Sequence, residues 1–453
     1  MRAVLATLLC FALATPLNAA EPTVIVEVSR VGAAELARLK QTPGVQWSAE
    51  FGNELLLGVS PDTLPDWLAR DDVRAGPERL AAEEIVVRDH VCTVHEQEPA
   101  LTVIGGYEIL RKPPALARAT RGALVPGEPL PADRVVSRAA WNLDVPVVRG
   151  TVDPAVQALT ARVDAERWFQ TVVGLSAFDR NSFSSALGPA HDWILARFGE
   201  AGLATQSFTF QLDGGNAGCN PPRPVVTLAN PIGVKRGATL PDQWVVVGAH
   251  YDSRNTVRCD TVDPQPGAND NASGCAGVIE LARVFAGVET SRSILFMCFS
   301  GEEQGLVGSR RYVESLQASG DINRVRYMIN LDMIGYAVDN TLATRIETTP
   351  AFASELARFA AAAAIYAPEL GPILSSSTQA YSDHWYFLAA GIPGAFTWEN
   401  GAGIYPHYHR ATDVPANLLR GRELARGILK MDIAILAAEA GLIAPLFANG
   451  FEE

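Results

Sequence analysis

Four short apolar runs constrain this chain more than anything else in it: Trp244–Gly248, Ile294–Phe299, Met328–Asn330 and Ala395–Trp398. Each is bounded by polar loops, as strands covered on both faces should be. Between and around them the apolar spacing predicts helices at Ser273–Phe285, Leu306–Leu316, Ala351–Ala364 and Leu418–Ala438, with an amphipathic helix around Asp192–Phe198 and a strand at Gln206–Gln211. Strand–helix alternation over residues 155–442 predicts an α/β fold, a three-layer α/β/α sandwich. The mixed character of its central sheet is inferred from the alternation, not read directly.

The rest of the 453 residues divides by composition. Residues 21–112 read as a small α+β N-terminal domain, with strands at Thr23–Val28, Val45–Phe51 and Leu55–Val59 and helices at Ala34–Gln41 and Ser60–Arg70. Pro61 would sit just inside the cap of the second helix. Residues 113–154, rich in Pro, Arg, Ala and Gly, read as a linker, and 21–112 as a possible pro-domain. Met1–Ala20 has a positive start at Arg2, an apolar core over Ala3–Ala14 and small residues at Ala19 and Ala20. That pattern predicts a signal peptide and a secreted or periplasmic protein. Residues 443–453 are left as a tail.

Composition excludes some partners. A net charge of −13 with no long Lys/Arg run argues against nucleic acid. No later apolar stretch is long enough to span a membrane. Beyond Cys10 there are Cys92, Cys219, Cys259, Cys275 and Cys298. Cys219 and Cys259 lie in polar loops and are expected to pair in an oxidising compartment. Cys275 and Cys298 read as small buried hydrophobes.

Metal-capable side chains follow the predicted strands. His250 and Asp252 come after the first run, Asp270 in Gly267–Gly274 before a helix, and Glu302 and Glu303 after the second run. Asp332 follows the third, and His407 and His409 lie beyond the fourth. Singly, each has an ordinary explanation: a helix cap, a turn residue, or acidic side chains at a helix N-terminus. Jointly they converge, because sites in open α/β sheets form at the carboxyl ends of strands. A His and carboxylate set without Cys suits a catalytic zinc site. His250, Asp270, Glu303, Asp332 and His409 provide five ligands for two Zn2+ if one Asp bridges, leaving Glu302 to take a proton and Asp252 to hold the His250 tautomer.

These blocks, with Asn330–Gly335, Tyr381-Ser382-Asp383-His384, Tyr408-His409 and Asp413, resemble the co-catalytic di-zinc aminopeptidase family, the bacterial leucyl aminopeptidase-like zinc exopeptidases. The resemblance covers roughly Ala155 to Leu442. It implies that His250 and Asp332 bind one zinc, Glu303 and His409 the other, and that Asp270 bridges. Glu302 matches the family's general base, Asp252 a supporting carboxylate, and Tyr408 a residue that stabilises the tetrahedral intermediate. Substrates would be peptides with a free N-terminus. Arg410 departs from the family, which commonly has Thr there. Rival readings are a glutaminyl-cyclase-like mono-zinc aminoacyltransferase, a carboxypeptidase using Arg254 or Arg345 as a carboxylate clamp, and a non-catalytic binding protein.

Overall fold

The computed structural model describes residues 20–28, 31, 33–52, 54–89, 101–104, 107–111, 133–139, 151–215, 217–337, 342–376, 382–399 and 405–443. The expected signal segment up to Ala19, Cys92, Tyr381 and the tail beyond Ile443 lie outside them. The N-terminal strands are β1 (Thr23–Glu27), β2 (Val45–Gly52), β3 (Glu54–Val59), β4 (Val73–Ala75), β5 (Ile85–Asp89), β6 (Thr102–Ile104), β7 (Tyr107–Arg111) and β8 (Asp133–Ala139). Those that follow are β9 (Ala204–Leu212), β10 (Val226–Lys235), β11 (Leu240–His250), β12 (Arg292–Phe299), β13 (Val325–Leu331), β14 (Ala343–Thr348), β15 (Gly371–Ser376) and β16 (Gly394–Glu399). The α-helices are α1 (Ala33–Lys40), α2 (Leu64–Leu68), α3 (Pro154–Thr160), α4 (Ala165–Ser176), α5 (Leu187–Glu200), α6 (Gly274–Phe285), α7 (Val307–Ser319), α8 (Ser354–Tyr366), α9 (His384–Ala389) and α10 (Gly421–Ala440).

The predicted sandwich is present. Its sheet runs β15-β14-β16-β13-β11-β12-β10-β9. Strands β12, β11, β13 and β16 are parallel, whereas β10 is antiparallel to β12 and to β9, and β14 is antiparallel to β16, so the sheet is mixed. Alternate side chains of β11 serve opposite layers. Val245 and Val247 join the core with α4, α5, α6, α8 and α10, while Val246 packs with Tyr312 of α7 and Phe387 of α9. Asp153 and Asp164 cap α3 and α4 by accepting backbone N–H groups. Trp168 of α4 is fully buried and donates its indole N–H to the Ser273 carbonyl at 3.0 Å. Truncating it to Ala would cost about 3–5 kcal/mol and loosen the turn that precedes α6.

Strand β10 escaped the sequence reading because Pro231 interrupts its pattern. Pairing with β12 starts only at Ile232, so the proline needs no N–H on that side. The second N-terminal helix is shorter than expected: α2 starts at Leu64, and Pro65 rather than Pro61 occupies its first turn. Inside 113–154, read as linker, Asp133–Ala139 forms β8. That strand pairs in parallel with β2 and antiparallel with β15, joining β4-β1-β3-β2 to the sandwich in a single 13-stranded sheet. A separate sheet, β5-β7-β6, packs on one face of the N-terminal strands in an apolar cluster that also takes in Phe396 of β16. Leu36 and Leu39 of α1 and Trp67 of α2 cover the other face.

Candidate metal centre

Because β12, β11, β13 and β16 are parallel, their carboxyl ends open on one edge. His250 ends β11, Glu302 and Glu303 lie in the turn after β12, and Asp332 follows β13. Asp270 comes from the Ala268–Ser273 turn before α6, where it and Asn271 leave the helical conformation. His409 sits beyond β16 with φ +51°. Helix α7 starts only at Val307, so Glu302 and Glu303 belong to a turn, not to a helix N-terminus.

The five sequence-predicted ligands, together with Glu302, the expected proton acceptor, fall into two groups. In each of His250/Glu302/Asp332 and Asp270/Glu303/His409, one ligand atom per residue lies within 4.8 Å of the others. Asp270 connects the groups: its Oδ1 is 3.2 Å from His250 Nε2 and its Oδ2 is 3.0 Å from His409 Nε2. His250 Nε2 is also 3.4 Å from Asp332 Oδ1 and 3.9 Å from Glu302 Oε2, and His409 Nε2 is 3.2 Å from Glu303 Oε2. Both Glu303 oxygens and Asp332 Oδ1 are buried without a hydrogen-bond donor among the described residues. A bound cation would compensate buried carboxylate oxygens of this kind, as protonation also would. A His/Asp/Glu donor set without Cys fits zinc.

Neighbouring groups hold these side chains. His250 Nδ1 lies 3.1 Å from the Asp252 carbonyl and 3.6 Å from its Oδ1, so the carbonyl makes the closer contact. The Asp252 carboxylate instead accepts the N–H of Glu302 and of Glu303, both at 3.2 Å, and the Ser182 hydroxyl at 3.0 Å. Asp413 accepts the N–H of Asn269 at 2.8 Å and of Asp270 at 3.0 Å. Ser382 donates to Asp332 Oδ2 at 2.7 Å.

Burial and then neighbouring charge shift the titrations of Glu302 and the five expected ligands. Burial pushes Glu302, Glu303 and Asp332 above the usual carboxylate range. Burial works against ionised Asp270 too, but hydrogen bonds from both histidines outweigh it and lower its pKa. Burial disfavours protonated His250, yet the Asp332 and Glu302 charges raise it well above the ordinary value. Burial and then Arg254 hold His409 down to about 4.

Tyr408 stacks on His409 with ring centroids 3.7 Å apart. His407 is outside both groups and contacts Thr412 Oγ1 at 2.9 Å. Arg345 is buried over the Trp398 ring, whereas Arg254 Nε lies 3.9 Å from Glu303 Oε2. Buried Asp383, raised to about 7 by burial, also influences Glu302; its place in the Tyr381–His384 block was the available signal, although no role was assigned to it. Cys219 and Cys259 are paired as expected. The reading of Cys275 and Cys298 as buried hydrophobes is corrected: they form a second disulfide, with 5.9 Å between Cα atoms. Apolar surroundings describe both thiols, but the packing of α6 on β12 that brings them together is a tertiary contact no local pattern reveals.

A mixed α/β/α sandwich with two adjoining His/carboxylate groups at its parallel strand ends has the architecture of the zinc exopeptidases. Residues 230–427 match the model of Peptidase family M28. A probable zinc metalloprotease from Pyrenophora teres f. teres is 32% identical over 197 residues, 40% of this chain and 41% of that one. Aminopeptidase YwaD of Bacillus subtilis is 34% identical over 192 residues, 41% of this chain and 40% of that one. This chain thus spans about two fifths of the length of these curated relatives. Among solved structures, an aminopeptidase from Aneurinibacillus sp. strain AM-1 superposes with a TM-score of 0.52 at 20% identity, over 64% of this chain and 97% of that one. LapB from Legionella pneumophila gives 0.53 at 18% identity, over 93% and 100%. At these identities the likeness to solved structures is one of fold.

Proposed function

We propose that this protein is a secreted or periplasmic di-zinc aminopeptidase that removes N-terminal residues from peptides. The observation that carries the reading is Asp270, whose two carboxylate oxygens face different histidines and so can bridge two cations. His250 and Asp332 would hold one zinc and Glu303 and His409 the other. Bound there, zinc supplies Lewis acidity, which polarises the scissile carbonyl and lowers the pKa of water. Glu302, fixed through its backbone by Asp252, accepts the proton of the attacking water and delivers it to the leaving amine. Tyr408 donates a hydrogen bond to the developing oxyanion. Two disulfides support an oxidising compartment. Among the described residues no helix is long and apolar enough to cross a membrane.

The test is a panel of aminoacyl chromogenic substrates and N-blocked peptides, with and without a chelator. Chelator-sensitive release from free N-termini alone, with close to two zinc ions per chain, is expected. Cyclisation of N-terminal Gln by a one-zinc protein, release of C-terminal residues, or full activity after chelation would each overturn the reading.

A further inference from the structure

Arg180, between α4 and α5, is fully buried, yet its guanidinium makes no ion pair with a carboxylate among the described residues. It bonds to carbonyls instead. Nε donates to Tyr251 O, Nη1 to Leu175 O and Pro266 O, and Nη2 to Gly267 O, each at 2.7 Å. Tyr251 follows His250 directly, and Gly267 lies three residues before Asp270. One rigid, planar group therefore joins α4 to two loops, each delivering a residue of the metal centre. Gly267 keeps this junction open: with φ +46°, a Cβ there would run into Asp270 O and stand 2.5 Å from Ser253 Cβ and 2.9 Å from Arg180 Nη2.

The adjoining chain points the same way. The Arg180 carbonyl accepts the Ser253 N–H at 3.1 Å, and Ser182 donates to the carboxylate of Asp252. Burial lowers the Arg180 pKa to about 10, which keeps the group charged at neutral pH beside Asp413, Asp252 and Asp270.

We infer that Arg180 is a positioning residue for the metal centre: its guanidinium sets the separation of the loops that carry His250 and Asp270 before any cation binds. The inference rests on the metal-centre reading above. Fixed-fork geometry is the physical reason for arginine. A lysine carries the same charge, but its donors radiate from one atom and cannot reach carbonyls on α4 and both loops at once. A residue that only balanced charge or filled the core would tolerate that exchange.

The experiment compares the wild-type protein with Arg180→Lys. Zinc affinity is measured by chelator competition, and the absorption spectrum of the Co2+-loaded protein reports ligand geometry; thermal unfolding checks the fold. Expected is a folded Arg180→Lys protein whose zinc affinity falls about 10–100-fold, the usual effect of losing a group that orients ligands, with an altered Co2+ spectrum. Wild-type affinity and spectrum in that variant would overturn the inference while leaving the metal centre intact. A wild-type protein that binds no zinc would overturn both.

Should Arg180→Lys not fold, hydrogen exchange on the chelated wild-type protein decides. If Arg180 sets the loops, the backbone amides around 249–253 and 266–271 stay as protected without metal as with it. Loss of protection on chelation would show that the cation orders the loops, and the inference would fail.

Discussion

The carboxylate of Asp413 accepts the backbone N–H of Asp270 at 3.0 Å, so the loop that carries His409 also fixes the residue that faces both histidines. Its other oxygen takes the N–H of Asn269 at 2.8 Å. Asp413→Asn would turn an amide N–H₂ toward one of these donors and leave that backbone group unsatisfied. The expected outcome is a folded protein with zinc affinity lower by about 10–100-fold, read by chelator competition. Unchanged affinity would show that the turn holds Asp270 without Asp413.

Glu302 has a different role from its neighbour Glu303, and substitution should separate them. Glu302→Gln keeps the shape and the backbone hydrogen bond to Asp252 but cannot accept a proton. It should retain its metal and lose about two to four orders of magnitude in rate. By contrast Asp270→Ala should disturb both metals, because both histidines face that carboxylate. Metal analysis and turnover on one aminoacyl substrate check both variants. Near-wild-type turnover of Glu302→Gln would mean that another group takes the proton.

Much of this was legible in the sequence because each strand that brings a ligand is a short apolar run with a polar residue at its end. Val245, Val246 and Val247 declare a strand buried on both faces, and His250 follows a few residues later. What was not legible depends on contacts between distant segments. Nothing near Arg180 signals that its guanidinium spans loops at 251 and 267. Strand β10 hid behind Pro231, and β8 lay in a stretch with no periodicity because its partners come from two separate parts of the chain. The hydrogen bonds of Asp252 were only half readable: His-x-Asp suggests an imidazole partner, whereas the carboxylate holds the backbone of Glu302 and Glu303.

The two disulfides make a covalent prediction. Alkylation of the unfolded, unreduced protein should trap none of Cys219, Cys259, Cys275 and Cys298, and peptide mapping should recover both linked pairs. In the chain-entropy account, closing loops of 40 and 23 residues stabilises by about 3–4 kcal/mol each. Cys275→Ala with Cys298→Ala should therefore lower the unfolding midpoint clearly. Free thiols at those two positions would restore the reading of them as buried hydrophobes.

Asp432, buried in α10, accepts the Thr397 hydroxyl at 3.1 Å on Oδ2, while Oδ1 has no partner among the described residues. Burial raises its pKa well above the ordinary value. The folded protein therefore keeps a proton that the unfolded chain releases above about pH 4. The associated stability is present in acid and is lost as pH rises from that unfolded value toward the folded one. Asp432→Asn stays neutral throughout. It should raise the thermal midpoint at pH 8, with a gain that shrinks toward pH 4. An equal shift at pH 4, 6 and 8 would rule out this protonation account.

The N-terminal region, residues 21–112, is the last case. If it is a pro-domain, cleavage between it and the sandwich should release it and raise turnover. Its contacts favour retention. Strand β8 lies between β2 of the N-terminal region and β15 of the sandwich, and Phe396 of β16, only 3% exposed, belongs to the same apolar cluster as Trp47, Phe51 and Ile109. Separating the two parts would expose that cluster and leave β15 with an unpaired edge, a hazard for aggregation. Arg134, a residue type that trypsin-like enzymes cleave in exposed chain, is itself part of β8. Limited proteolysis aimed at Arg118 and Arg121, which lie outside the described residues, should therefore give two fragments that elute together on size exclusion, with unchanged turnover on an aminoacyl substrate. Dissociation of the N-terminal fragment with a rise in turnover would establish the pro-domain instead.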